Sequence, residues 1–341
     1  MEVKNVRKGI AVAGNMMTDL VKDIRYYPEK GMLSVISDVS RAVGGCAPNT
    51  AIDLAKIDPE LSVSTIGCVG KDENGEFLIF QMQKNGVNTD MITVTDSAPT
   101  SFSDIMSLPN GERTIFSFNG ANDVFSPNHI DISRLNCRNL HIGYILLLGA
   151  FDAPDAKYGT VMARFLKEAR ENGIKTSVDV VSRSDGEFAQ KIIPVLKYVD
   201  YIIINEIECC GIWGLSPRFQ NGRLDIDTIR LAMEKTMDAG DMQKVIVHCK
   251  EAGFCLSHDR CFTKVGSLEV ESSLFKGSVG AGDAFCAGCL YGIYNGFSDK
   301  QMLEFASAAA VCSLFEANSV DGMRNKAEIL EVMNTYPRIS I

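Results

Sequence analysis

The feature that most constrains the fold is a repeated alternation of short, almost wholly apolar runs with helical stretches. Residues 10–13, 63–69, 141–148, 176–180, 201–204 and 244–248 read as strands, and 48–57, 75–85, 155–172, 227–239, 281–294 and 299–315 read as helices. Strands that are apolar at nearly every position have no face to offer water. They must be covered on both sides, which is the situation of a mostly parallel sheet with crossover helices. The fold class is therefore α/β, a three-layer α/β/α sandwich, and such sheets bind ligands at the carboxyl edge of their strands.

Two stretches, 16–40 and 97–118, break the alternation and are rich in β-branched, aromatic and turn residues. Within the second, Ser101 to Met106 alternates, Pro109-Asn110-Gly111-Glu112 forms a turn, and Thr114 to Phe118 alternates again, which spells a hairpin. These stretches are expected to form a small β-sheet lid (16–40 and 97–118) on a larger α/β domain built from 1–15, 41–96 and 119–341. Acidic residues number 43 against 34 basic ones, a net charge of −9 that argues against a general binder of nucleic acid or anionic membrane. No apolar run approaches the roughly 20 residues needed to span a bilayer. Lys4, Arg7 and Lys8 precede an apolar stretch too short for a signal peptide, so it reads as the first strand. Eleven cysteines without a secreted-domain spacing read as free thiols in a reducing cytoplasm, and the pair Cys286 and Cys289 as core packing on a helix.

The strongest chemical signal is Gly277-Ser278-Val279-Gly280-Ala281-Gly282-Asp283, which leads into an apolar helix. Glycines there let an anion approach bare amides, and the helix N-terminus adds unpaired N–H groups and positive dipole. A carboxylate at that junction is either a helix cap or a base that takes a proton from a hydroxyl attacking a phosphoryl group. The P-loop pattern is absent. The dinucleotide pattern also fails, because Phe285 stands where its third glycine would be.

Over nearly its whole length the chain resembles the ribokinase-like (PfkB) carbohydrate kinases. The likeness rests on Ser278 to Asp283 and on Gly44-Gly45-Cys46-Ala47-Pro48-Asn49-Thr50-Ala51. It continues through Gly67 to Gly75, Asn85-Gly86-Val87, Asn119-Gly120-Ala121-Asn122 and Asn205-Glu206-Ile207-Glu208, all in family order. The resemblance implies an anion hole at Gly280, Ala281 and Gly282 with Asp283 as general base. It implies acceptor binding by Asp19, Gly44, Gly45 and Asn49, and work on nucleotide phosphates and Mg²⁺ by Asn205 and Glu208, the latter through water. Arg183 matches the arginine that fructokinase-like relatives place near the transferring phosphate, although Val181 replaces an asparagine of that segment; a surface arginine is the alternative. Lys250 and Gly253 fall on the family's nucleotide-side strand and turn, where Lys250 replaces a glycine and either contacts phosphate or points into water. Ser307 falls on the adenine side.

Two further departures shape the expectation. Gly277 replaces the acidic or amide residue associated with a monovalent cation, which argues against K⁺ activation. Gly149-Ala150-Phe151-Asp152 stands where ribokinase-like proteins place an acidic substrate residue, which argues against simple ribose as acceptor. The implied activity is ATP- and Mg²⁺-dependent phosphorylation of a hydroxymethyl group on a sugar or sugar-like molecule, by an enzyme that forms a homodimer through its lid. A nucleoside kinase, with Phe102, Phe116 and Phe118 as stacking candidates, and a non-catalytic sugar-binding protein are the alternatives.

Overall fold

A computed structural model describes residues 7–109, 112–182 and 187–341. Its central sheet has nine strands in the order Phe262–Gly266, Ala252–Ser257, Lys244–His248, Tyr201–Asn205, Lys175–Val180, Asn139–Ile145, Ile10–Gly14, Val63–Gly70 and Asn88–Thr95. From Lys244–His248 to Asn88–Thr95 every pairing is parallel; the other two strands are an antiparallel meander at one edge.

The side-chain period of two divides the core. On the first strand Ala11 and Ala13 pack into one apolar cluster, with helices Val161–Glu171, Phe188–Leu196 and Ile226–Asp238. Ile10 and Val12 pack into the other, with helices Cys46–Ile57, Ala281–Tyr294 and Asp299–Leu314. Both faces are thus covered, as the unbroken apolar strands require.

Most sequence boundaries hold to within two residues, and larger shifts occur in two places. The strand expected over 141–148 ends at Ile145, and a turn follows. The helix expected from 155 begins at Val161, because Pro154–Asp155 and Gly159–Thr160 first pair as a two-residue ladder and the Thr160 hydroxyl caps the helix by accepting from the Ala163 amide. All eleven cysteines are free thiols, and Cys286 and Cys289 are buried. No helix among the described residues is long and apolar enough to cross a membrane.

A second sheet of four strands, Ile36–Gly44, Met17–Ile24, Phe102–Ser107 and Arg113–Phe118, stands beside the carboxyl edge of the large one. The first and last pairings are antiparallel, and Met17–Ile24 and Phe102–Ser107 are parallel. The chain enters its first two strands directly from Gly14 and leaves them at Gly44, and Gly45 then packs against the Asn15 carbonyl at the end of the first central strand.

Candidate active site

Helix Ala281–Tyr294 begins at Gly280, whose left-handed backbone (φ 84°) suits only glycine; a Cβ there would also stand 2.7 Å from Ser319. No side chain caps this end: the Ala281 amide makes a long bond of 3.5 Å to the Ser278 carbonyl, and the Gly282 amide has no partner among the described residues. Asp283 belongs to that turn but does not cap it. The residue is 4% exposed, and its carboxylate accepts two hydrogen bonds from elsewhere, from the Tyr144 hydroxyl at 2.6 Å and from Asn49 Nδ2 at 2.9 Å. Burial pushes the Asp283 carboxyl up to about 6, against the pull of these two donors. The capping reading of this residue is thereby set aside.

Asn49 comes from helix Cys46–Ile57, and its own Oδ1 is buried without a partner among the described residues. Tyr144 follows Gly143 near the end of a central strand, and Asn15 ties the two neighbourhoods together by accepting from the Cys46 and Tyr144 amides. Asp19 reaches the same place from the small sheet. Burial and the neighbouring Asp283 charge push its carboxyl up to about 7, while Arg113 acts in the opposite direction. Gly44 lies against it: a Cβ at that position would be 2.6 Å from Asp19 Oδ2. Gly45 packs on the Asn15 carbonyl. Asp19, Gly44, Gly45, Asn49 and Asp283 thus share one neighbourhood, as expected. Tyr144 and Asn15 join them without any sequence signal that singles them out.

On the other side of Gly282 opens a cavity of about 980 Å³. One wall is apolar, with Ala310, Val311 and Leu314 beside Ser307; another is polar, with Asn205, His248 and Lys250 beside Ala281 and Gly282. An apolar wall suits a base, and Lys250 with backbone amides suits phosphates. Asn205, Lys250, Ser307, Ala281 and Gly282 are therefore at the cavity, and Gly277 borders it too. Gly253 is in the adjacent strand, opposite His248, packed against Phe285 and Leu303; it supports the wall and does not form it. Arg183 lies outside the described residues.

Glu208 has a local task that sequence reading did not assign. It forms a capping box with Asn205 at the start of helix Glu206–Gly211: Asn205 Oδ1 accepts from the Glu208 amide at 2.8 Å, and Glu208 Oε2 accepts from the Asn205 amide at 2.9 Å. Glu208 Oε1 accepts from the Ser182 hydroxyl at 2.8 Å, and burial pushes the carboxyl up to about 7. Each oxygen keeps a second lone pair that can accept from a metal-bound water; Glu208 itself is buried and, unlike Asn205 and Glu206, does not border the cavity.

The register of the small sheet sorts its side chains. Asp19, Ser103 and Ser117 are paired and share one face, whereas Phe102, Phe116 and Phe118 alternate onto the other. Phe102 and Phe118 pack on each other, with ring centroids 5.4 Å apart. The three aromatic side chains therefore face away from the Asp19 side.

The pfkB family carbohydrate kinase model matches residues 7–326. A 5-dehydro-2-deoxygluconokinase of Geobacillus kaustophilus is 26% identical over 87% of this chain and 86% of that protein. An ATP-dependent ribose-1-phosphate kinase of Halopiger xanaduensis is 23% identical over 87% and 88%. Among solved structures, ribokinase of Thermotoga maritima superposes with a TM-score of 0.77 at 19% identity, covering 96% of this chain and 100% of that one. Arabidopsis thaliana ribokinase complexed with ribose and ATP gives 0.76 at 20%, covering 96% and 99%.

Proposed function

Because the chain belongs to the pfkB family of carbohydrate kinases, we propose that it transfers the terminal phosphoryl group of ATP to a hydroxymethyl group of a sugar or sugar-like acceptor, with Asp283 as the general base. The single observation that carries this reading is the placement of Asp283. It is a buried carboxylate oriented by Tyr144 and Asn49, one residue past the uncapped amides that border the cavity.

The acceptor would lie between the two sheets, its hydroxyls accepted by Asp19 and met by Asn49. Asp283 takes the proton of the attacking hydroxyl. The amides of the 280–282 turn receive the charge that builds on the transferring phosphoryl group; fixed donors of this kind need no reorganisation at the moment of reaction. Mg²⁺, when bound with the nucleotide, supplies charge neutralisation of its phosphates; Glu208 would hold it through water, and Asn205 would meet the phosphates. The small sheet acts as a lid that excludes water from the cleft.

The relatives' names include a neutral sugar, a gluconate derivative and a sugar phosphate, so they leave the acceptor class open. The nucleoside reading is disfavoured by the direction of Phe102, Phe116 and Phe118. The outward face of the lid exposes Val39 (59%) and Phe116 (60%), and a second copy of this chain is the proposed cover. Sedimentation at micromolar concentration should give a dimer, and Phe116→Asp a monomer; a monomeric parent protein refutes this arrangement.

The test of the function is ADP release over a panel of sugars, sugar acids, sugar phosphates and nucleosides. Turnover with a member of the first three classes is expected. Nucleoside turnover alone, or binding of sugar and ATP without ADP release from any acceptor, would replace it with one of the alternatives.

A further inference from the structure

Building on the kinase reading above, we infer that the acceptor carries an anionic group, a carboxylate or a phosphate, and that Arg113 of the lid is the residue that binds it.

Arg113 opens strand Arg113–Phe118. It is the only residue of that strand that is not exposed. It pairs with Ser107, which pairs with Asp23, and this register puts Arg113 on the same face of the lid as Asp19, Ser103 and Ser117. That face carries Asp19; Arg113 also borders the cavity beside Gly282, which Asp19, Asn49 and Asp283 do not line. Its positive charge is felt at Asp19. Yet among the described residues the two form no ion pair within 4.0 Å, and Arg113 makes no other ion pair or side-chain hydrogen bond.

Arg113 is thus a partly buried guanidinium whose charge reaches Asp19 without an ion pair between them, which leaves its N–H donors open to a ligand. Its planar fork of N–H donors matches a carboxylate or phosphate in bidentate fashion and gains little from a lone hydroxyl. Asp19 and Asn49 serve hydroxyls: Asp19 only accepts, and Asn49, whose Nδ2 already donates to Asp283, has at most one neutral N–H left for an anion. The other cations at the cavity have other places: Lys276 is paired with Glu316 at 3.1 Å, and Lys250 is exposed on the nucleotide wall. An acceptor with its reactive hydroxyl at Asp283 and an anionic end at Arg113 spans the gap. A neutral sugar would leave the guanidinium facing only water. Because Arg113 borders that cavity, a nucleotide phosphate is the rival anion, and the experiment separates the two.

Kinetics are measured with matched pairs: ribose and ribose 1-phosphate, glucose and gluconate, fructose and fructose 6-phosphate. Binding of the same compounds is followed by thermal shift. In the best pair the anionic member should exceed the neutral one by roughly 10- to 100-fold in kcat/KM. Arg113→Met should raise the KM of the anionic acceptor by a similar factor, with the KM for ATP within about twofold, and Arg113→Lys should recover part of the loss. A rise in the KM for ATP with acceptor preference unchanged would move Arg113 to the nucleotide phosphate and overturn the inference. So would neutral members that equal or exceed their anionic partners. If no compound releases ADP, the kinase reading fails, and the thermal shift still decides this one: stabilisation by anionic members only, lost in Arg113→Met, upholds it, and its absence refutes it.

Discussion

Replacing Tyr144 by Phe removes one of the two donors that hold the Asp283 carboxylate in its charged form, and little else. The bond is short, 2.6 Å, and the carboxyl group it serves stands at about 6 because burial outweighs the two donors. A hydrogen bond to a charged acceptor contributes about 1.5–3 kcal/mol. At about 1.4 kcal/mol per pH unit, its loss should raise the carboxyl by roughly one to two units. A general base works in its ionised form. The parent kcat should therefore rise through about pH 6 and level off, whereas the variant should still be climbing between about pH 7 and 8. Near pH 7 the ionised fraction falls from roughly nine-tenths to between a half and a tenth, so the rate falls about two- to tenfold, and most of it returns near pH 9. The assay is coupled ADP release across pH with the acceptor that the panel identifies. An acid limb at the same pH in both proteins would refute the assignment of Tyr144 as the group that tunes this base.

Two other outcomes are expected. Asp19→Ala should raise the acceptor KM by roughly 10- to 100-fold and leave the KM for ATP unchanged; unchanged acceptor affinity would remove Asp19 from the acceptor site. Asp53 lies wholly inside, neither of its carboxylate oxygens has a partner among the described residues, and burial together with Asp283 pushes its carboxyl well above the usual range. A pKa raised by folding stabilises the native state at low pH and loses that contribution as pH rises through the folded value. The thermal midpoint should thus fall on going from about pH 5 to 9, and Asp53→Asn should flatten that slope. The same slope in the variant would show that Asp53 does not titrate as described.

Much of the large sheet was legible because its strands are buried on both faces, which leaves a signal that only a covered parallel sheet satisfies. The helix start at 155 was misread because Pro154 to Thr160 has the composition of a first helical turn, and only the pairing of Gly159 with Asp155 takes it away. In the site, the glycines and Asp283 could be read because anion binding at a helix start leaves a local pattern. Tyr144 and Asn15 could not, since their meaning comes from chain crossings more than 100 residues apart in sequence. Glu208 was visible as a motif, but its capping of its own helix and its bond to Ser182 are properties of the folded loop. Arg113 looked like one more polar residue of a hairpin until register placed it on the face of Asp19.

The most direct measurement compares ADP release by the parent protein and by Asp283→Asn with the identified acceptor, alongside ATP binding by calorimetry. The account predicts turnover lowered by roughly 10²- to 10⁴-fold, with nucleotide affinity retained. Turnover within a few-fold of the parent would show that the proton leaves the acceptor by another route.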